Sequence, residues 1–255
     1  MRLGFVGTGA ITRAIVTGLT HAKAPFEHIY LSPRNTDVAA GLAELDSRVS
    51  VCPTNQDVLD SSDVVCLAVV PQIAVDVFKE LRFVARHHVI SFLAGVSISD
   101  LKQMVGPDSA IIRAIPLPAV AARKGSTAIC PPDEIASLLF SHVGTSVEVS
   151  DEGKFDALFA VTATMASFYA VMETQAVWLE KQGVDYESGR AYLAAYYDGL
   201  SYEATTGKEP FSALVQSSMT TGGINEQLHK ELSSTGTYSN YSAALDNVLK
   251  RIKGS

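Results

Sequence analysis

An apolar run, Leu3-Gly4-Phe5-Val6, stops at Gly7-Thr8-Gly9-Ala10-Ile11-Thr12, and Ala10–Leu19 then carries apolar residues at helical spacing. A buried strand, a glycine-rich turn and an amphipathic helix in immediate succession leave few folds open. The chain must begin a βαβ unit, whose crossover is right-handed and whose strands are parallel. Gly7 suits the tight turn, and Gly9 clears a side chain from the place where a ligand can approach the backbone at the helix start.

The alternation continues. Apolar runs recur at His28–Leu31, Val64–Val69, Val89–Phe92 and Ala110–Ile115. Helix-compatible stretches fall between them at Val38–Leu45, Ile73–Leu81 and Ser99–Met104. Thr127–Cys130 and Ser146–Val149 flank a helical Asp133–His142 and are expected to add strands at the sheet edge. After Ser150 the pattern becomes helical only, over Phe155–Lys181, Tyr186–Thr206, Phe211–Ser218 and Tyr238–Lys253, with breaks at Gly183, Gly207–Pro210 and Gly222-Gly223. The expected fold class is therefore α/β: a Rossmann-type doubly wound parallel sheet over residues 1–150, followed by an all-helical domain over 151–255.

Composition narrows the class of partner. Hydrophobic residues at 47% and charged residues at 18% are globular proportions, and a net charge of −7 argues against a nucleic-acid surface. No run of about 20 apolar residues is expected to span a bilayer, and the N-terminus lacks a signal-peptide pattern. Three dispersed cysteines, Cys52, Cys66 and Cys130, read as reduced thiols of a cytoplasmic protein, with no metal role.

A glycine turn that opens a helix after the first strand of a βαβ unit is a dinucleotide site, with pyrophosphate on the helix N-terminus. The cofactor-contacting residues expected there are Gly7, Thr8, Gly9, Ala10 and Ile11. Thr12 stands where the fingerprint has its third glycine. The second strand ends in Leu31-Ser32-Pro33-Arg34-Asn35, without the carboxylate that would bind the adenosine ribose of NAD. Ser32, Arg34 and Asn35 instead offer donors to a 2′-phosphate, and the planar guanidinium suits phosphate oxygens, so NADPH is the expected cofactor. Asn55 is expected on the adenosine side. Ala68, Val69 and Pro71 follow a strand whose carboxyl end lines the crevice, and Ala94 and Gly95 follow the next one.

In order along the chain, Gly7-Thr8-Gly9-Ala10-Ile11, Ser32-Pro33-Arg34-Asn35, Leu67–Gln72, Ile90–Ser97, Ile112-Arg113-Ala114-Ile115-Pro116, Gly125–Pro131 and Thr221-Gly222-Gly223 resemble the pyrroline-5-carboxylate reductase family. The resemblance implies an NAD(P)H-dependent reductase of a small cyclic imine, with a helical domain that pairs with a second subunit and a substrate held against the nicotinamide. Departures from the family pattern gather on the substrate side. Leu117-Pro118-Ala119 replaces Asn-Thr-Pro, and Arg123-Lys124-Gly125 replaces Gly-Glu-Gly. Thr162–Phe168 replaces Ser-Gly-Ser-Gly-Pro-Ala-Tyr, and Ile224-Asn225 replaces two threonines.

Hydride transfer to a protonated C=N bond needs orientation more than acid catalysis. Thr164, Ser167 and Tyr169 are the candidate catalytic donors. Thr221, Gly222, Gly223 and Asn225 are the candidate substrate-binding turn. A β-hydroxyacid dehydrogenase would need a lysine followed three or four residues later by Asn. Lys154 is followed by Phe155-Asp156-Ala157-Leu158 and lacks that signature. Reduction of a different imine, or NADPH binding without catalysis, stay open as alternatives. The expected partners are a small imine substrate and a second copy of the chain, in a homodimer or higher homo-oligomer, with neither nucleic acid nor membrane.

Overall fold

The N-terminal apolar run forms strand β1 (Arg2–Val6), which lies in the middle of the sheet and is buried along most of its length. The structure is a computed structural model that describes residues 1–106 and 109–254. β1 leads into helix α1 (Ala10–His21), then β2 (His28–Leu31), α2 (Thr36–Ala43), β3 (Val49–Val51), α3 (Asn55–Ser61) and β4 (Val64–Leu67). Next come α4 (Pro71–Phe78), β5 (His88–Ser91), α5 (Ile98–Val105) and β6 (Ala110–Ile115). A short 3-10 helix (Pro118–Ala122) precedes β7 (Ser126–Cys130), α6 (Glu134–Ser141) and β8 (Thr145–Glu148).

The strands run in the order β3-β2-β1-β4-β5-β6-β7-β8. All neighbours are parallel except β6 and β7. Strand order reverses between β1 and β4, and such a switch point opens a crevice at the strands' carboxyl ends. Side chains alternate across the sheet. Leu3, Phe5, Ile29, Leu31 and Cys66 enter one core with Ile15, Leu19 and Phe140 of the covering helices. Val6, Val65, Leu67 and Val89 enter the opposite core with Leu59, Phe78 and Leu101. Strand periodicity thus supplies both faces of a doubly wound sheet.

Local chemistry sets the helix starts. Thr54 and Asp57 form a reciprocal capping box on α3, Ser97 caps α5 and Asp133 caps α6. Pro71 occupies the first turn of α4, where no N–H is missed. Gly18 has a packing role that its position in a helix conceals: a Cβ there would sit 2.3 Å from the Val120 carbonyl oxygen. The 3-10 helix built by Leu117-Pro118-Ala119 rests against α1 at that point.

Past β8 the described residues are helical: α7 (Glu152–Thr162), α8 (Thr164–Lys181), α9 (Tyr186–Thr206), α10 (Phe211–Ser217), α11 (Ile224–Ser234) and α12 (Thr237–Ile252). Contacts divide the chain into Met1–Phe159 and a second unit from Ala160 onward. Two sequence expectations need correction. The long helix foreseen over Phe155–Lys181 is interrupted at Ala163, and α11 was not foreseen. Moreover, the 30-residue helical stretch Glu152–Lys181 is apolar and long enough to cross a bilayer by length and composition, contrary to the expectation that no stretch approaches that length. Its Ala, Val, Met and Phe residues are interspersed with polar residues, which hid the length of the apolar stretch. In the second unit Leu193 is buried, whereas Tyr192, Tyr196 and Leu200 are exposed. Tyr192 and Tyr196 stack with nearly parallel rings 6.3 Å apart.

Candidate functional site: a dinucleotide crevice and a helical donor set

Gly7 has φ +105°, a backbone state that favours glycine, and its missing Cβ would meet the Ala68 carbonyl at 2.6 Å. The turns after β1 and β4 therefore approach too closely for any side chain. Gly9 is different. It is the N-cap of α1, no side chain caps that helix, and a Cβ there would enter open space. The first turn of α1 carries no acidic residue. Helix dipole and terminal N–H groups are thus left to an incoming anion, in a cradle that only the absence of a side chain keeps open.

The turn is braced from within. Gly7 N–H donates to Ser32 Oγ (2.9 Å), and Thr8 Oγ1 donates to the Ser32 carbonyl (2.7 Å) while lying 2.9 Å from Ser32 Oγ. Thr12 donates its hydroxyl to the Gly7 carbonyl (2.6 Å), and Asn35 Nδ2 donates to the Thr8 carbonyl (3.2 Å). Thr8, Thr12 and Ser32 are buried. The threonine in place of the third glycine is therefore a brace rather than a defect, and sequence reasoning missed it. Asn35 holds its position at φ +67°, a conformation that asparagine tolerates.

Of the three expected residues of the second-strand segment, Ser32 is buried and Asn35 is exposed, as is Arg34. Arg34 shares a cleft of about 540 Å³ with Asn55, Ile73, Asp76 and Glu80, so the structure brings the two expected adenosine-side residues together. Ala68, Val69 and Pro71 lie half-buried at the end of β4, and Ala94 and Gly95 are exposed beyond β5.

One charged cluster was not singled out from sequence. Arg113 on β6 is buried, donates to Glu152 (2.7 Å) and Asp156 (3.1 Å) at the start of α7, and lies 4.4 Å above the Phe155 ring. Glu152 also accepts from the Ile98 N–H (2.9 Å) and so ties the segment after Gly95 to β6 and α7. The acidic pair two to six residues into the helical region was the available signal.

In the second unit, Thr164 and Ser167 line a cleft of about 150 Å³ with Tyr241, Leu245 and Val248 of α12. The Thr164 hydroxyl donates to the Val161 carbonyl (2.8 Å), a backbone return usual for threonine in helices. Tyr169 faces another direction, since a two-residue step from Ser167 turns the helix by about 200°. It lines a separate cleft of about 320 Å³ with Glu173, Tyr186 and Arg190. Thr221, Gly222, Gly223 and Asn225 form the turn that starts α11. Gly222 has φ +76°, and its N–H donates to Glu226 Oε2 (2.6 Å). Asn225 donates to the Ser218 carbonyl (2.8 Å), bracing the turn. Lys230 and the Gly222 N–H hold the Glu226 carboxyl below its usual range.

Residues 2–95 match the family model described as NADP oxidoreductase coenzyme F420-dependent. The chain is 36% identical over 182 residues to pyrroline-5-carboxylate reductase of Synechocystis, covering 68% of this chain and 67% of the relative. It is 27% identical over 248 residues to pyrroline-5-carboxylate reductase 2 of Bacillus subtilis, covering 92% and 83%. A solved pyrroline-5-carboxylate reductase from Coxiella burnetii superposes with a TM-score of 0.88 at 26% identity, over 99% of this chain and 97% of that one.

Proposed function

The chain belongs to the pyrroline-5-carboxylate reductase family, and from that premise we propose that it reduces 1-pyrroline-5-carboxylate to proline with NADPH. The observation that carries the cofactor half is the open cradle at Gly9 on an uncapped helix start, together with an exposed Arg34 in the cleft that Asn55 lines. When bound, the reduced nicotinamide supplies hydride to the imine carbon. The Gly7–Ile11 turn and the first N–H groups of α1 hold the pyrophosphate, and Arg34 pairs with the 2′-phosphate. Asn55 lines the adenosine side, and Ala68, Val69, Pro71, Ala94 and Gly95 border the crevice at the carboxyl ends of β4 and β5.

On the substrate side, Ser167 and Tyr169 carry exposed hydroxyls in separate clefts of α8, and one or the other steadies the imine or hands it a proton. Thr164 serves less directly, because its hydroxyl is committed to the backbone. The turn Thr221-Gly222-Gly223 with Asn225 takes the substrate carboxylate, and Glu226 must yield the Gly222 N–H for it to do so. That carboxylate on Gly222 favours a second reading, a cyclic imine without an acid group. Turnover of 1-pyrroline-5-carboxylate and of 1-pyrroline separates the two. Proline formation with the first substrate at a higher kcat/KM is expected, and faster reduction of the second would overturn the choice.

The functional form is a homodimer, and the exposed Tyr192, Tyr196, Leu200 and Trp178 of the helical unit support it. Sedimentation at micromolar concentration is expected to give twice the mass of one chain. A monomer would contradict it. Three free and buried cysteines, Cys52, Cys66 and Cys130, suit a reducing compartment such as the cytoplasm.

A further inference from the structure

We infer that Thr8, Ser32 and Asn35 are positioning residues that fix the phosphate turn and act alike on NADPH and NADH, in contrast to Arg34. The inference rests on the reading that a dinucleotide binds at Gly7–Ile11. It gives a positioning role to Ser32 and Asn35, which with Arg34 offered donors to a 2′-phosphate in the sequence.

Proton counting closes the network. The Thr8 hydroxyl has one proton, and it goes to the Ser32 carbonyl at 2.7 Å. The 2.9 Å contact between the two hydroxyls is then made by the Ser32 proton, donated to Thr8 Oγ1. Ser32 Oγ in turn accepts from the Gly7 N–H. Both the donor and an acceptor site of Ser32 are consumed inside the protein, and the residue is only 1% exposed. It has no proton left for a phosphate. Asn35 gives one amide N–H to the Thr8 carbonyl, and Thr12 gives its hydroxyl proton to the Gly7 carbonyl.

Three side chains, Ser32, Thr12 and Asn35, therefore satisfy the Gly7 N–H, the Gly7 carbonyl and the Thr8 carbonyl, and the Thr8 hydroxyl ties Ser32 in place. They hold a glycine at φ +105° against the Ala68 carbonyl. The groups of the turn left for ligand are those at Gly9 and the start of α1, and their placement depends on this brace. Pyrophosphate is common to NADH and NADPH, so loosening the brace weakens both equally. Only the 2′-phosphate distinguishes them. Among the described residues lining the adjoining cleft, Arg34 is the cation, and Asp76 and Glu80 are anions.

The test measures dissociation constants of NADPH and NADH by fluorescence titration of the full chain, with a thermal midpoint taken for each variant. Thr8→Val should raise both constants by a common factor of about three to ten, the worth of one hydrogen bond. Thr8→Ser, which keeps the hydroxyl, should restore both. Arg34→Ala should raise the NADPH constant by about ten- to a hundredfold and leave the NADH constant within a factor of about two. Asn35→Gly, at an exposed position whose φ glycine accepts, should act as Thr8→Val does but more weakly. It carries the test if Thr8→Val does not fold. A selective loss of NADPH in Thr8→Val or Asn35→Gly, or no loss of either nucleotide, would overturn the inference. If the unaltered chain bound neither nucleotide, the nucleotide reading would fall and the inference with it.

Discussion

The two units of the chain treat their functional groups in opposite ways. In the first, nearly every polar group near the crevice already has a partner within the unit: Ser32, Thr8 and Thr12 around the turn, and Arg113 with Glu152 and Asp156 beside it. In the second, Ser167, Tyr169 and Thr221 are exposed, and so are Trp178, Tyr192, Tyr196 and Leu200. In the first unit the proposed phosphate turn is already braced by internal hydrogen bonds. The groups proposed for the substrate sit on helices that also expose large apolar side chains, the arrangement expected if a second copy completes the site.

If the first unit is pre-built, breaking its internal partners should be costly. Arg113→Met leaves Glu152 and Asp156 without their cation beside a guanidinium site only 4% exposed. A loss of about 3–5 kcal/mol in urea unfolding is expected, and a loss under 1 kcal/mol would break the contrast. Arg113→Lys should not recover it, because one ammonium cannot serve two carboxylates along separate fork directions.

Packing gives the next effect. Gly18→Ala forces a methyl to within 2.3 Å of the Val120 carbonyl and should cost about 1–3 kcal/mol, read as a lowered urea midpoint. Gly41→Ala, in α2 with open space around it, should instead gain about 0.5–1 kcal/mol.

His87 gives a smaller, pH-dependent effect. It is buried, its Nδ1 accepts from the Val84 N–H, and burial with the neighbouring Arg86 lowers its pKa, while a hydrogen bond with the Leu59 backbone and the charges of Asp60 and Asp63 oppose the shift. The unfolded chain then binds a proton that the folded one refuses. Stability is complete above the unfolded value of about 6.5 and is lost as pH falls through the lower folded value, at no more than about 1.4 kcal/mol per pH unit. His87→Gln should flatten that slope, and an unchanged slope would remove His87 from the account.

The smallest effect belongs to the second unit. Glu226→Gln removes a charge from the turn at α11, so the KM for 1-pyrroline-5-carboxylate should fall about two- to fivefold with kcat little changed. A rise in KM would mean that Glu226 supports the substrate instead of competing with it.

The sheet and the glycine turn were legible because each follows from a backbone constraint that residue type alone expresses. Direction was not legible. Ser32 can face a phosphate or the Gly7 N–H, and only the close approach of β1 and β2 decides. Thr12 read as a missing glycine until its hydroxyl was seen on the Gly7 carbonyl. β3 escaped notice because three residues carry too little periodicity. α11 escaped because Ile224–Ser234 has a single narrow apolar stripe, none of it buried. Ser167 and Tyr169 seemed one donor set, yet helical rotation sends them to different clefts. Gly18 gave no sign, since the carbonyl it admits lies about a hundred residues further on.

The central claim, hydride transfer from NADPH to a cyclic imine acid, is tested most directly with NADPH carrying deuterium at both C4 positions of the nicotinamide. Proline formed from 1-pyrroline-5-carboxylate in ordinary water should carry one deuterium, at the former imine carbon. Unlabelled proline, or NADPH bound without any turnover, would contradict it.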